Sequence, residues 1–413
     1  IVNVTDDSSD GACDATHCSL RDAIEAVNAA GELSRIEFNV PITDPGYSTT
    51  TETFLIQPAS ELPRITAPVV IDGYTQPGSV MNSSPLSLGL NTQLKIFLNG
   101  ASVGGENAGL IITAGASTVS GLGFTDFPGE AIRIEGASAN TITGNFIGVD
   151  PSGVIASPNL FGIRVVESSG NTIGGSTVSA ANLISASDDT GIILSGGLSS
   201  GNRVIGNLIG TDRSGNADLG NKFSGIGIFD APNNQIGEPG AGNVISGNDR
   251  AGIQILSPAS TGNAIQSNLI GVAATGQGFL GNGWAGVMIV NAPDNTIGGS
   301  GPDEGNVISG NEAEGISIFE PAATGNMIEG NLIGLASDGS AALGNFLQGV
   351  AIWGSATQNF VGGLAAGQGN TIAENGAGGI RIESGDRNAI LSNLIYDNVN
   401  IGIDLNFDGV TLN

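Results

Sequence analysis

Ser187-Asp188-Asp189 and Asp249-Arg250 stand in matching turns, each ahead of an apolar segment. Cleavage of a glycosidic bond needs two carboxyl groups about 5 to 9.5 Å apart, one to give a proton and one to activate water or attack the sugar. If the two turns lie two parallel strands apart, their side chains are about 9.6 Å from one another, at the limit of an inverting geometry. Asp230 and Glu320 form a second acidic pair. Three strands separate them, so they stand about 14 Å apart and cannot share a reaction. Histidine cannot serve as the base in such a site, because His17, near the start of the sequence, is the only one in the chain. Ser-His and Cys-His nucleophile systems are excluded for the same reason. Glycine triplets such as Gly298-Gly299-Ser300 lack the lysine and the following helix of a phosphate loop.

A second kind of chemistry, stacking on flat rings, is offered by Phe229, Leu256, Phe319 and Trp353. These occupy equivalent outward positions in successive apolar segments, and Asp230 and Glu320 follow Phe229 and Phe319 directly. An aromatic and aliphatic stripe on an otherwise polar protein marks a contact surface, and sugar rings stack on such faces. The competing expectation is that inserted loops carrying Phe223, Phe279, Leu280, Trp284 and Phe346 fold over the stripe and bury it.

These residues take their positions from a repeat. Gly, then Ile or Val, any residue and another aliphatic recurs from Ile132 to Leu405 with a step of about 30 residues, the signature of a solenoid. Two further phrases keep the same beat, Asn-x-Ile/Val around Ile142, Ile173 and Val204, and Asn-x-Ile around Ile147, Ile184 and Ile209. Three short alternating strands per period, each bounded by Gly and Asn, make a three-sided coil, so the spacing predicts an all-β, right-handed parallel β-helix. A helical repeat is disfavoured, since Gly and Asn fall in nearly every short window.

Asn171, Asn202 and Asn234 begin one expected column of corner asparagines, and Asn182, Asn207 and Asn243 begin another. Asn tolerates the left-handed corner and can bond to the Asn above and below. Loops inserted on every second coil, such as Gly210 to Ser224, Gly271 to Ala285 and Gly334 to Gln348, lengthen the true repeat to about 62 residues.

Outside the repeat, residues 1–34 read as a cap made of a strand at Ile1 to Val4, a Cys loop, and a helix from Ser19 to Ala30 with Leu20, Ala23, Ile24 and Val27 on one face. Residues 35–125 read as irregular early coils and 126–413 as regular ones, in one continuous domain. The polar stretch Tyr74 to Gln93 is expected on the outside. Cys13 and Cys18 are the only cysteines, and a local disulfide fits them better than zinc, which wants four ligands. The net charge of −27 on 413 residues comes chiefly from having only 12 Lys and Arg. Nucleic acid, which needs a basic surface, is therefore not an expected partner. No apolar run approaches a membrane span.

Cys18-Ser19-Leu20-Arg21-Asp22-Ala23-Ile24 with Asn28, then Ile71-Asp72-Gly73-Tyr74-Thr75-Gln76-Pro77-Gly78, then repeats such as Asn207-Leu208-Ile209-Gly210-Thr211-Asp212, resemble bacterial secreted proteins of the CSLREA-domain, parallel β-helix repeat type. The resemblance spans essentially the whole chain. It implies an extracellular or cell-surface location, often within a larger polypeptide, and no defined reaction. Ser187-Asp188-Asp189 also resembles the paired-aspartate motif of polygalacturonases, but the chain has no Gly-His-Gly and no Arg-Ile-Lys. A pectate-lyase chemistry would need a Ca²⁺ site, and no clear carboxylate cluster for Ca²⁺ stands out, so no cofactor is expected. Arg133 and Arg164 are expected to pair with Glu135 and Glu167, and Arg381 with Glu383 or Asp404.

Two functions follow as expectations. The first is a non-catalytic extracellular structural or adhesive module that binds a polysaccharide or other cell-surface polymer. The alternative is a polysaccharide lyase or glycoside hydrolase using Asp188, Asp189, Asp249 or Arg250. The start at Ile1 without Met reads as a processed, secreted product, and Gly402-Ile403-Asp404-Leu405 is a full strand without a capping helix behind it. Continuation in a longer chain or end-to-end self-association is expected from that.

Overall fold

From Leu110 onward each turn of the chain gives one strand to each of three sheets, so the sheets grow in parallel along a common axis. The computed structural model describes residues 1–406 and 408. The first sheet has 12 strands, from Ser34–Glu37 to Ala389–Leu391, and the second has 13, from Tyr47–Ser48 to Leu394–Tyr396. The third has 11, from Leu110–Ile112 to Ile403–Leu405. Pairing between coils is parallel, and among the described strands only Tyr47–Ser48 runs antiparallel to its neighbour Thr53–Ile56. The fold is a right-handed parallel β-helix with one short N-terminal helix.

Alternation sorts the side chains as the sequence pattern predicts. Ile192, Ile226 and Ile253 stack in register, as do Leu194, Ile228 and Ile255, and all six are fully buried. No single coil has a core of its own. Continuous columns of Ile and Val through the interior supply it.

The corners are tied by asparagine. Asn140, Asn171, Asn202, Asn234 and Asn263 form one ladder and Asn145, Asn182, Asn207, Asn243 and Asn268 another, each side-chain amide donating to the next side-chain carbonyl. A third ladder was not anticipated. It runs through Asn221, Asn248, Asn282, Asn311, Asn345, Asn375 and Asn398, with amide-to-carbonyl distances of 2.8 to 2.9 Å. Each carbonyl also accepts the preceding Asn's backbone N–H, as Asn282 does from Asn248. Those corner donors and acceptors are thereby satisfied without water.

The inserted loops do not cover the stripe on the third sheet. Each closes on itself through a short bridge, Val149 with Ala156, Thr211 with Asp218, Val272 with Phe279, and Leu335 with Ala342. Their tips stack across alternate coils, Arg213 N–H donating to the Gly153 carbonyl and Ala274 N–H to that of Gly215, both at 2.8 Å. Val149 and Ala274 pack with Phe97, Phe146, Leu183, Leu208 and Val244 over the outer face of the second sheet. The reason is apolarity: the second sheet presents outward Phe and Leu that need cover. The segment from Tyr74 to Gln93 lies on the same face. The Tyr74 hydroxyl donates to the Gly144 carbonyl at 2.7 Å, and Leu90 is buried in that cluster.

At the N-terminal end the helix α1, Leu20–Ala30, lays Leu20, Ala23, Ile24 and Val27 on the first coil. Ser19 caps it, and Asp22 returns a bond to Ser19 in a reciprocal capping box. Cys13 and Cys18 are joined in a disulfide. Two expectations about local strands change. Ile1 to Val4 makes only one bridge, Val2 with Phe38. The run from Val119 to Phe124 is two strands broken at Gly121, whose φ of 72° turns the corner and whose missing side chain leaves room for the Tyr74 ring.

Candidate functional site

The outer face of the third sheet carries two side-chain columns, because the second and fourth residues of each strand point away from the core. The fourth-position residues Ser195, Phe229, Leu256, Val290, Phe319 and Trp353 are in strict register from coil to coil. Phe229, Leu256, Val290 and Phe319 are half-buried and Trp353 is 37% exposed. The aromatic and aliphatic stripe is therefore partly exposed, most of all at Trp353.

The second-position residues set how the rings lie. Beside Phe229 stands Gly227, where even a Cβ would meet the Phe229 ring at 2.4 Å. Beside Phe319 and Trp353 stand Ser317 and Ala351, both buried. Small floor residues let the rings fold flat onto the sheet. Phe319 and Trp353 are stacked, with centroids 4.6 Å apart and planes at 20°. The indole N–H of Trp353 donates to Ser317 Oγ at 3.0 Å, which fixes the ring's orientation. Between the aromatic stations Met288 is buried, packed with Ala251 and Ala285 and touched by Val290 and Phe319.

Charged groups close both ends of the stripe. At the N-terminal end Glu130 is 2% exposed and accepts from Arg133 at 2.8 Å and from Arg164 at 3.3 Å. Glu135 pairs instead with Arg64 at 2.9 Å, and Glu167 accepts the Leu198 N–H. The expected pairing of Arg133 and Arg164 with Glu135 and Glu167 is thus replaced by one buried carboxylate serving both guanidinium groups. At the other end Glu314, Ala351, Trp353, Arg381 and Glu383 line a cleft of about 180 Å³. Arg381 pairs with Glu383. Burial pushes the Glu314 carboxyl above the ordinary range for glutamate, and the Arg381 charge opposes that rise.

The acidic residues singled out from the sequence are placed as follows. Asp188, Lys222 and Asp249 hold equivalent corner positions on three successive coils, just after members of the third ladder position. Lys222 Nζ contacts Asp188 at 2.5 Å, and the nearby Asp188 and Asp249 carboxylates hold its ammonium above the usual lysine range. Asp189 accepts a hydrogen bond from the Thr190 hydroxyl at 2.8 Å. Arg250 lies over the Phe223 ring at 4.4 Å. Asp188, Asp189 and Arg250 are thus each engaged by a neighbour. Asp230 and Glu320 occupy left-handed corners, with φ of 55° and 78°, immediately after Phe229 and Phe319. Asp230 accepts from the Ser257 hydroxyl at 2.6 Å. They border the stripe three coils apart.

Glu130 and Glu314 were missed from the sequence. Both stand two residues ahead of the first inward aliphatic, a position that simple alternation assigns to the interior. Their side chains instead join the outer face, Glu130 meeting the outward Arg133 and Arg164 and Glu314 lining the cleft beside Trp353. A column of residues at that fixed offset, Glu130, Phe161, Thr190, Ser224, Ala251, Ala285, Glu314 and Gln348, was available as the signal.

No family model and no curated protein matches the chain. Among solved structures, the chain is similar to a variant of the periplasmic alginate epimerase AlgG, at 13% identity over 90% of this chain and 83% of that one, with a TM-score of 0.45. It is also similar to the Dettilon tailspike protein, at 17% identity over 95% and 70%, with a TM-score of 0.44. The A-module of the Azotobacter vinelandii mannuronan C-5 epimerase AlgE4 gives 14% identity over 96% of both chains and a TM-score of 0.39.

Proposed function

We propose that this β-helix is an extracellular structural or adhesive module whose third sheet binds an extended, neutral polysaccharide along the column from Phe229 to Trp353. The observation that carries the reading is the oriented Phe319–Trp353 stack, held flat by Ser317 and partly open to solvent. Coils repeat at about 4.8 Å along the axis, close to the length of one pyranose residue in an extended chain, so successive rings of such a polymer meet successive coils. Glu314, Arg381 and Glu383 at the cleft offer hydrogen bonds to hydroxyl groups beside the indole.

Charge selects among polysaccharides. A chain with net charge −27 repels polyanions such as uronate polymers over the Debye length. The disulfide and the resemblance to secreted CSLREA-domain repeat proteins support the extracellular placement. A binding role is favoured over a lyase or hydrolase because Asp188 is tied to Lys222 and Arg250 is stacked on Phe223.

Co-sedimentation with insoluble cellulose, chitin and β-glucan, against soluble alginate as the anionic control, tests the reading. The unmodified protein should partition onto a neutral solid, and a Phe319→Ala/Trp353→Ala variant should stay in solution. Equal partitioning of both proteins would remove the stripe from the binding surface.

A further inference from the structure

The N-terminal cap sets the only histidine of the chain among three aspartates, one of which, Asp22, also closes the capping box of α1 through Oδ2. His17 Nε2 lies 3.2 Å from Asp6 Oδ1 and 3.1 Å from Ser8 Oγ. Its other nitrogen, Nδ1, faces Asp22 Oδ2 at 3.4 Å and Asp10 Oδ2 at 3.8 Å. One ligand atom each from Asp10, His17 and Asp22 falls within 4.8 Å of the other two. Two further facts separate this group from an ordinary acidic surface. The Asp22 side chain is fully buried and its Oδ1 accepts no hydrogen bond, the nearby Ser9 hydroxyl being donated to Glu25. His17 Nδ1 is likewise buried and accepts none.

We infer that Asp10, His17 and Asp22 form a site for a divalent first-row transition cation, with zinc the best fit. With its Nε2 proton donated to Asp6, the ring would keep the Nδ1 lone pair for the metal, the carboxylate–histidine relay that orients metal-binding imidazoles. One imidazole and two carboxylates are a borderline donor set that suits zinc and its neighbours better than Ca²⁺, which prefers oxygen alone. Three protein ligands leave a tetrahedral position to water, and exposed Asp10 places that position toward solvent. Asp22 sits in the first turn of α1, where the helix dipole disfavours a cation. The carboxylates of Asp6, Asp10 and Asp22 offset that cost. Bound metal would tie the segment around Asp10 to the Cys13–Cys18 loop and to the helix that covers the first coil.

Because His17 is the sole histidine, its imidazole resonances report this site without ambiguity. The full chain, stripped of metal by chelation, is titrated with ZnCl₂ near neutral pH, followed by NMR of the imidazole and by calorimetry, with CaCl₂ as the control. The expected result is a saturable shift of the His17 resonances with one zinc per chain and no response to calcium. Asp10→Asn, a change at an exposed side chain, should weaken zinc binding about 10-fold or more with the melting temperature of the metal-free protein unchanged. His17→Gln should abolish it. The inference is overturned if the imidazole resonances do not respond to zinc, as they would not if the ring carries a second proton and serves as an ion-pair partner only. It is equally overturned if Asp10→Asn binds zinc as tightly as the parent.

Discussion

Replacing Asn282 with Ala tests whether the third asparagine ladder holds the coils or merely decorates a corner. Asn282 is fully buried. Its Oδ1 accepts from the Asn248 side-chain amide at 2.8 Å and from the Asn248 backbone N–H at 3.2 Å. Its Nδ2 donates to Asn311 Oδ1 at 2.9 Å and to the Ile245 carbonyl at 3.0 Å. After truncation the two acceptors each keep a partner, since the Asn282 N–H still reaches Asn311 and the Gly271 N–H still reaches Ile245. The two Asn248 donors keep none. At about 1 to 3 kcal/mol for each buried unsatisfied donor, the expected loss is about 2 to 6 kcal/mol. Asn398 makes the matching bonds to Asn375 at a part-buried corner, where water can replace it. Asn398→Ala should therefore cost about 1 kcal/mol or less. A solenoid can open coil by coil, so urea denaturation should be paired with hydrogen exchange, and the Asn248 amide should lose protection in the Asn282 variant alone. Equal losses in the two variants, or a loss below about 1 kcal/mol for Asn282→Ala, would refute the argument.

Three further outcomes are expected. Glu314→Gln should raise stability at neutral pH. Burial lifts the folded carboxyl above its unfolded value of 4.5, so its ionisation penalises the fold at pH above both values, and the gain should vanish below 4.5 in pH-dependent melts. Glu130→Gln removes the one carboxylate that Arg133 and Arg164 share, and should cost about 2 kcal/mol or more in urea denaturation, reduced from a fully buried case because both arginines reach solvent. Reducing the Cys13–Cys18 bond opens a loop of sequence separation 5, which constrains little chain entropy. Hydrogen exchange should then increase in the cap and remain unchanged in the coils beyond residue 126.

The period made most of the fold legible. An inward aliphatic at a constant offset after Gly, repeated in phase with two Asn-led phrases, leaves few alternatives to a three-sided coil, and Ile226, Ile236 and Ile245 lie on the three sheets where those phrases put them. The outward direction of Phe229, Phe319 and Trp353 was legible for the same reason. What covers what was not. The loops carrying Trp284 and Phe346 were placed over the third sheet because they lead into it, yet their apolar anchors Val272, Ala336 and Leu343 face the second. The third ladder escaped because Asn221, Asn282 and Asn345 come at the ends of long insertions, which hides their spacing from one another. Counted backward from Ile226, Val287 and Val350 the offset is constant, since the strand and not the loop sets the corner. The cap site escaped because its ligands are carboxylates from the segment before Cys13 and from α1, brought to His17 only by the loop's closure.

The most direct measurement of the central claim uses the indole as its own probe. Trp284 and Trp353 are the only tryptophans, so a Trp284→Phe variant leaves Trp353 as the sole indole emitter, sitting on Phe319 in the stripe. Titration of that variant with soluble oligosaccharides from the neutral polymer that retains the protein should give a saturable change in emission. The midpoint should match binding measured independently by calorimetry, and Phe319→Ala added to the same background should shift it about 10-fold toward weaker binding, as expected for an aromatic platform worth about 1.4 kcal/mol. Calorimetric binding with no change in Trp353 emission, or binding that survives Trp353→Ala undiminished, would contradict the assignment of the third sheet as the binding face.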